Sequence, residues 1–267
     1  MDDSIKIVRD NYDTNVQKEW DRLDIHYFEF AITLHMMDKY IKPGDKILDI
    51  GGGPGRYSIH YAKKGCDVTL FDLSPECVKF ARQKADDEGV KINAIIGDAR
   101  FVSDIVDCEF DHVFVMGPLY HLVEIADRRA AVKSAVNLLK KSGNLYASFI
   151  MIFAGMIYLM KHEPELILGD KEQVFIENAV ENTSYSGDGF TRVHNTSVND
   201  VQSFMSEFPL EKLHLFGQES ITAPCEFNLL PQPKEVKQKW FEIACRICER
   251  EDLLSFSEHA MYIGKKI

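Results

Sequence analysis

Apolar residues follow two alternating patterns along most of this chain. Short apolar runs bounded by glycine or acidic residues predict buried β-strands, and these runs fall at residues 46–50, 67–71, 92–96, 111–115 and 143–150. Apolar residues spaced three and four positions apart predict amphipathic helices, and these segments fall at residues 55–64, 75–88 and 124–140. Strands that alternate with helices in this order predict a parallel sheet with helices on both faces.

The alternation stops at both ends of this region. Within residues 1–42, apolar spacings of three and four from Trp20 to Met37 or Asp38 predict one amphipathic helix. The sheet pattern breaks near residue 151 and resumes near residue 197. The segment between them contains, in order, a predicted apolar helix, an acidic amphipathic stretch and a turn-rich stretch, at residues 154–168, 171–182 and 184–191.

The last part of the chain returns to the sheet pattern. Residues 198–208 predict a helix, and residues 210–217 and 258–265 alternate as two closing strands. A long amphipathic helix that begins with proline is predicted between them, at residues 231–252. No internal repeat or low-complexity segment interrupts the sequence.

A glycine-rich loop follows the first predicted strand. Gly51, Gly53 and Gly55 let the backbone turn tightly and approach a ligand, because no Cβ stands in the way. The loop opens onto a predicted helix, whose free N–H groups favour an anion or a polar group. Because Arg56 stands three positions after Gly53, the loop does not match the dinucleotide pattern G-x-G-x-x-G. The sequence therefore indicates a nucleotide-type site, with a ligand-free glycine turn as the alternative.

The loop does match acidic-x-Gly-x-Gly-x-Gly, carried by Asp49, Gly51, Gly53 and Gly55. In this motif the chain resembles the class I S-adenosylmethionine-dependent methyltransferases. The resemblance implies S-adenosylmethionine as cofactor and S-adenosylhomocysteine as product. It also implies that the loop, with Asp49, passes beside the amino-acid half of the cofactor.

Later strand ends extend the resemblance. Asp72 ends the second strand at a spacing from the glycines that suits a contact to ribose hydroxyls. The resemblance implies that Leu73 packs on adenine, that Asp98 binds the adenine amino group and that the Ala99 amide binds a ring nitrogen. It places Met116, at the end of the fourth strand, beside the methyl donor. The alternative for each acidic strand end is a cap on the following helix.

The resemblance also implies an overall architecture. This is an α/β fold, a three-layer α/β/α sandwich with a seven-stranded, mostly parallel sheet, an antiparallel last strand and a helical cap. Four parts are expected: an N-terminal helical lid at residues 1–42, the cofactor-binding core at residues 43–150, a cap insertion at residues 151–196 and the remainder of the core at residues 197–267. As an alternative, residues 154–182 form a dimer face.

Two lid residues are further candidates for the cofactor site. Tyr12 and Arg22 resemble lid residues of this family in which a tyrosine or an arginine meets the carboxylate of the cofactor. The alternative for Arg22 is an ion pair with Glu19 or a neighbouring acid.

Catalytic candidates are few, because methyl transfer mainly requires alignment of the nucleophile and exclusion of water. His121 follows the fourth strand and could take a proton from the acceptor, and Tyr120 could orient the nucleophile. His194 is the second histidine candidate, because the segment that contains it leads from the cap back toward the sheet. The alternatives are a helix-capping role for His121 and an ordinary loop position for His194.

The composition of the chain limits the kinds of partner that the protein is expected to bind. The net charge of −11 argues against a partner bound through phosphates, so no nucleic acid is expected. The N-terminus lacks a signal-peptide pattern and the longest apolar run is too short for a bilayer, so we expect a cytoplasmic protein with no membrane partner. Six scattered cysteines do not make a disulfide scaffold. The C-x-x-C pair at Cys245 and Cys248 predicts a buried thiol pair on one helix face rather than zinc or redox chemistry, and no metal is expected.

These observations favour a methyltransferase that acts on O, N or S of a small molecule, as a monomer or homodimer. The tract after the fourth strand lacks the Asn/Asp-Pro-Pro-aromatic motif common in enzymes that methylate nucleobase or glutamine amide nitrogens. Three alternatives stay open: a methyltransferase of RNA or protein, a non-catalytic protein that binds the cofactor, and a nicotinamide oxidoreductase.

Overall fold

The computed structural model describes residues 3–267. Its single sheet contains nine strands in the order β3-β2-β1-β4-β5-β7-β6, with β9 paired to β5 and β8 paired to β9. The strands are β1 (Lys46–Ile50), β2 (Asp67–Asp72), β3 (Asn93–Ile96), β4 (Phe110–Val115), β5 (Leu139–Met151), β6 (Tyr185–Asp188), β7 (Arg192–Thr196), β8 (Leu210–Gly217) and β9 (His259–Lys266).

Twelve helices in the described residues surround this sheet. They are α1 (Asp3–Thr14), α2 (Val16–Ile25), α3 (Tyr27–Met37), α4 (Arg56–Lys63), α5 (Pro75–Asp87), α6 (Val102–Ile105), α7 (Ile125–Asn137), α8 (Ile152–His162), α9 (Gln173–Val180), α10 (Val198–Met205), α11 (Glu226–Leu229) and α12 (Lys234–Ile247). None of the helices within residues 3–267 has the length and apolar character needed to cross a bilayer.

Apolar side chains of the strands form a core on each face of the sheet. Leu48 of β1 packs with residues of α7 and α10 on one face. Ile47 packs with residues of α3, α4 and α12 on the other face. Successive side chains of a strand point to opposite faces, so one short strand contributes to both cores. The predicted α/β class, with helices on both faces of the sheet, is confirmed.

The sheet is mostly parallel, as predicted. Strands β1 to β5 pair in parallel, and β9 lies antiparallel to β5 between Asn144↔Lys265 and Ile150↔His259. The prediction of seven strands was wrong by two, because the stretch interpreted as turns contains β6, and the residues directly after it form β7, which pairs with β6 as an antiparallel hairpin. Two residue pairs join β7 to the end of β5. Since β9 occupies one edge of β5 at Ile150, β7 must lie on the other edge, beyond the end of β4.

Several helices also differ from their predicted bounds. The N-terminal region forms three helices rather than one, because the backbone leaves the helical conformation at Asn15 and at His26. The predicted helix at residues 231–252 is shorter, at Lys234–Ile247, and the one at residues 154–168 ends at His162 before a 3₁₀ turn.

Candidate cofactor and acceptor site

A cavity of about 950 Å³ opens at the carboxyl ends of β1, β2 and β4. This is the edge at which open α/β sheets bind ligands, and the volume is near the upper end for small-molecule sites. The sheet supplies the floor of the cavity, while α1, α2, α8 and the hairpin β6–β7 supply its other walls. Residues from the N-terminal helices, from the segment 151–196 and from the sheet therefore line a single cavity.

The glycine loop forms part of the cavity wall in a backbone conformation that favours glycine. Gly51, Gly53 and Gly55 have φ angles of +73°, +55° and +90°. A Cβ added at Gly53 would meet nothing within 4 Å, whereas a Cβ added at Gly51 would lie 2.5 Å from Cδ of Pro118. Gly51 thus packs against the loop after β4, and Gly53 leaves space free on the ligand side.

Asp72 holds the glycine loop and the start of α5 together. Its two carboxylate oxygens accept one hydrogen bond each, from the N–H of Gly53 at 2.8 Å and from the N–H of Ser74 at 2.8 Å. Burial raises the pKa of Asp72 to about 6, against the effect of these backbone donors. Because a carboxylate offers about four lone-pair sites, the side chain keeps capacity for hydroxyl groups of a ligand.

Asp49 lies next to this group and is buried, with 2% of its surface exposed. Its Oδ2 accepts a hydrogen bond from Oγ of Ser58 at 2.7 Å. Burial raises the pKa of Asp49 to about 7, and the nearby Asp72 adds to the rise. Carboxylates with raised pKa values at one cavity are typical of functional sites.

The expected adenine end combines an apolar slot with an ion pair. Leu73 and Ala99 pack against the buried side chains of Ile5 and Leu122. Asp98 accepts a hydrogen bond from the N–H of Arg100 and pairs with its guanidinium, with Nη2 2.6 Å from Oδ2. Asp98 therefore lines the cavity with both carboxylate oxygens already bound by Arg100.

Tyr12 and His121 meet across the cavity. The hydroxyl of Tyr12 lies 2.7 Å from Nε2 of His121, and Nδ1 of His121 lies 3.0 Å from the carbonyl oxygen of Arg192. A carbonyl can only accept, so Nδ1 carries the proton and Nε2 accepts from the tyrosine. Burial lowers the pKa of His121 to about 4 and raises the pKa of Tyr12. The pair is therefore neutral, and it ties α1 to the loop after β4 and to β7.

Tyr120 occupies the wall beside this pair. Its hydroxyl donates to the carbonyl oxygen of Met116 at 2.7 Å, and its ring contacts that of His121 at a centroid distance of 4.8 Å. Met116, Tyr120 and His121 all line the cavity. The structure thus brings the predicted methyl-donor position and the first two catalytic candidates together.

Arg22 also faces the cavity, but its guanidinium forms a two-point ion pair. Nη1 and Nη2 lie 2.6 and 2.9 Å from the two carboxylate oxygens of Glu29. Burial would raise the pKa of Glu29, yet Arg22 and His259 outweigh it and lower the value to about 2. The arginine therefore has an acidic partner in α3, which is the alternative that the sequence left open.

His194 lies apart from the cavity. Its neighbours in β7, Val193 and Asn195, line the cavity, whereas His194 does not. Its Nδ1 is hydrogen-bonded to Oγ of Ser186 at 2.8 Å in the hairpin, and burial lowers its pKa to about 4. Because side chains alternate along a strand, this histidine points away from the other site residues.

One group of buried polar residues at the cavity was not identified from the sequence. Nδ1 of His259 donates to Oε1 of Glu219 at 2.7 Å and lies 3.9 Å from Oε2 of Glu29. Burial opposes the charged imidazole, but Glu219 and Glu29 outweigh it and raise the pKa of His259 to about 9. His259 comes from β9, Glu219 from the turn after β8 and Glu29 from α3, and no local motif connects them.

The chain was compared with known families and structures. Residues 47–143 match the family model described as a methyltransferase domain. The ubiquinone biosynthesis O-methyltransferase of Xanthomonas euvesicatoria pv. vesicatoria (strain 85-10) is 30% identical over 130 residues, which are 46% of this chain and 53% of that protein. The chain thus spans about half the length of the curated relatives it matches.

Solved structures share the fold over most of the chain. Magnesium protoporphyrin IX methyltransferase from Synechocystis PCC 6803 with bound SAH superposes with a TM-score of 0.60 at 14% identity, over 99% of this chain and 100% of that one. A SAM-dependent methyltransferase from Methanosarcina mazei gives a TM-score of 0.56 at 17% identity, over 87% and 97%. Similarity at these identities concerns the fold.

Proposed function

We propose that the chain is an S-adenosylmethionine-dependent methyltransferase that acts on O, N or S of a small molecule, because residues 47–143 match the family model described as a methyltransferase domain. The observation that carries the proposal is the joint placement of the glycine loop and Asp72 on one large cavity, at the carboxyl ends of adjacent parallel strands. A small-molecule acceptor suits the cavity because lid, core and cap residues line it together.

The residues of the cavity fit the cofactor on two counts. The open space at Gly53 allows close approach of a ligand to the backbone. The remaining lone pairs of Asp72 suit the two ribose hydroxyls. In this proposal Gly51 and Asp49 face the amino-acid half of S-adenosylmethionine, and Met116 lies beside the methyl group.

The rest of the cofactor is assigned to the other predicted residues. Leu73 and the Ala99 amide hold the adenine ring, and Asp98 receives its amino group in place of one of the hydrogen bonds from Arg100. Tyr12 and Arg22 would lie near the carboxylate of the cofactor. Glu29 already binds the guanidinium of Arg22, so contact of Arg22 with that carboxylate requires a change in the lid when the cofactor binds. Tyr12 would lie beside the carboxylate while its hydroxyl stays bound to His121.

When bound, the cofactor supplies a methyl group activated by the sulfonium. The chain has to align the acceptor atom and keep water out. Residues 3–42 and 151–196 are proposed to do both, as lid and cap, because α1, α2, α8 and the hairpin β6–β7 cover the cavity. Tyr120 gives this acceptor side an aromatic wall.

His121 is proposed to receive the proton lost by the acceptor. Its Nε2 is unprotonated but hydrogen-bonded to Tyr12, so the proton can arrive through the phenol. The acceptor proton passes to the phenolic oxygen of Tyr12, while the proton of Tyr12 passes to Nε2. The carbonyl of Arg192 holds the opposite ring nitrogen throughout. Release of one proton to solvent restores the neutral pair.

Calorimetry on matched glycine variants tests the cofactor assignment. Gly53 and Gly89 both have positive φ angles and open space around an added Cβ, but only Gly53 lines the cavity. Gly53→Val should weaken binding of S-adenosylmethionine and S-adenosylhomocysteine at least about tenfold, and Gly89→Val should leave it unchanged. Equal effects in the two variants would contradict the site.

A second measurement tests turnover. S-adenosylhomocysteine production is followed over a panel of small phenols, thiols, amines and carboxylic acids. Conversion with at least one acceptor is the expected result. Tight cofactor binding without conversion across the panel would favour the non-catalytic binder.

A further inference from the structure

The buried group of Glu29, Glu219 and His259 is the strongest polar feature of the cavity that the proposed reaction does not use. Their ligand-type atoms lie within 4.8 Å of one another, a spacing that could suit a metal ion. The oxygens, however, are already bound. Both oxygens of Glu29 accept from Arg22, and those of Glu219 accept from His259 and from Oγ of Ser257. A cation would have to displace an arginine, so the donor set favours organic ligands over a metal.

One donor in this group is left for a ligand. Glu219 is the only hydrogen-bond partner of the His259 ring within residues 3–267, and it takes Nδ1. The imidazole lines the cavity, and its side chain keeps 12% of its surface accessible. The Nε2–H group is therefore available to an oxygen atom inside the cavity.

The neighbouring polar side chains are already paired. Oγ of Ser148 donates to Oε1 of Gln218, and the amide of Gln218 donates to Oγ1 of Thr33 at 2.9 Å. Both residues line the cavity beside His259. Ser148 therefore has no free donor and Gln218 keeps one N–H of its amide, so the Nε2–H group of His259 is the charged donor that this wall offers to an acceptor molecule.

His259 also lies on the acceptor side of the cavity. The ring of Tyr120 contacts that of His259 at a centroid distance of 6.0 Å and that of His121 at 4.8 Å. The same tyrosine is bound to the carbonyl of Met116. A ligand oxygen held by His259 would thus belong to a molecule that reaches along this aromatic wall toward His121.

The charges around His259 decide which kind of oxygen fits. The charged groups that face this end form opposite pairs: Arg22 with Glu29, His259 with Glu219, Lys161 with Glu258 and His26 with Glu226. The wall therefore has no excess positive charge. Burying a full negative charge without such an excess is costly, whereas a neutral carbonyl oxygen can accept the Nε2–H group without that penalty.

We propose that His259, held by Glu219, positions the methyl acceptor by donating a hydrogen bond from Nε2 to a neutral carbonyl oxygen of a partly apolar, aromatic-sized molecule. This inference rests on the proposed function, because it takes the cavity beyond Met116 as the acceptor side. His259 is a positioning residue in this role, and the acceptor proton still passes to Tyr12 and His121.

Three probes of the same size test this preference. 4-Hydroxyacetophenone carries a neutral carbonyl, 4-hydroxybenzoate carries an anion, and 4-ethylphenol carries neither. Each is titrated by calorimetry into the protein with and without saturating S-adenosylhomocysteine. A hydrogen bond to a charged donor should make the ketone bind about tenfold or more tighter than 4-ethylphenol. It should also bind more tightly than the benzoate. Equal affinities, or a preference for the benzoate, would overturn the proposal.

A spectroscopic readout on the unmodified protein complements calorimetry. With ¹⁵N-labelled histidine, the Nε2–H resonance of His259 should shift on addition of the ketone and stay in place with 4-ethylphenol. No shift with any of the three probes would overturn the proposal. Binding of S-adenosylhomocysteine is measured separately, so failure of the proposed function is seen as loss of that binding.

Variants locate the effect at His259. His259→Phe alone would leave the buried carboxylate of Glu219 unpaired, so it is combined with Glu219→Gln. The double variant should lose the ketone preference and keep its affinity for S-adenosylhomocysteine. His259→Gln retains an N–H donor and should restore part of the preference. A double variant that still prefers the ketone would show that another group holds the oxygen.

Discussion

Replacement of Asp49 by asparagine should stabilise the cofactor-free protein at neutral and higher pH. Asp49 is buried and receives one side-chain hydrogen bond, from Ser58. The asparagine side chain has the same shape, and its carbonyl oxygen can accept that bond. Since burial raises the pKa of Asp49 from 3.8 to about 7, the folded protein carries a cost when this carboxyl ionises. Asparagine removes that cost.

The size of the effect follows from the pKa. One pKa unit corresponds to about 1.4 kcal/mol, so the full cost is about 4 kcal/mol. It is absent below the pKa of the unfolded chain, grows as the pH rises through about 4 to 7, and is complete above the pKa of the folded protein. We therefore expect Asp49→Asn to raise the free energy of unfolding by about 2–4 kcal/mol near pH 8 and to change it little near pH 4.

Urea unfolding at several pH values measures this difference. Asp67→Asn, at the exposed start of β2, is the matched control and should show no comparable pH dependence. The same Asp49 variant should bind S-adenosylmethionine more weakly, because it loses the negative charge expected beside the amino-acid half of the cofactor. A gain in stability that is equal near pH 4 and pH 8, or a loss near pH 8, would refute the reasoning.

Three further outcomes are expected. Gly51→Ala should lower the free energy of unfolding by about 2–4 kcal/mol in urea titrations, because the added Cβ meets Pro118 and the backbone has a positive φ. Its control is Gly44→Ala, which has a positive φ but open space and should lower the free energy of unfolding by about 1 kcal/mol. His121→Asn should lower the rate of S-adenosylhomocysteine production more than it lowers cofactor affinity. The control is His162→Asn, at an exposed histidine. Unchanged turnover in His121→Asn would remove His121 from the proton path. Burial lowers the pKa of His194 to about 4, so the folded protein loses stability as the pH falls below about 6.5. His194→Gln should therefore raise the free energy of unfolding by about 2 kcal/mol near pH 5 and leave it unchanged near pH 8. Equal unfolding curves near pH 5 would contradict this.

Local patterns predicted the architecture well wherever one segment carries its own signal. Lys46–Ile50 reads as a strand because glycines end its apolar run, and Pro75–Asp87 reads as a helix because Ser74 caps it and proline follows. The Oγ of Ser74 indeed accepts from the N–H of Cys77 at 3.0 Å. The hairpin β6–β7 was missed because its strands are short and one of them carries few apolar residues, so pairing with β5 rather than propensity decides its conformation.

The sequence by itself determined the glycine loop, the acidic residues that end β1 and β2, and the order of strands that brings them to one edge. These features depend on backbone conformation and on alternation within a few residues, so they can be read locally. Only the tertiary structure decided the partners of Tyr12, Arg22 and His259. Tyr12 and His121 are 109 positions apart in the sequence, and His259 and Glu219 are 40 positions apart. Such contacts depend on how separate elements pack, and no spacing within either segment encodes them.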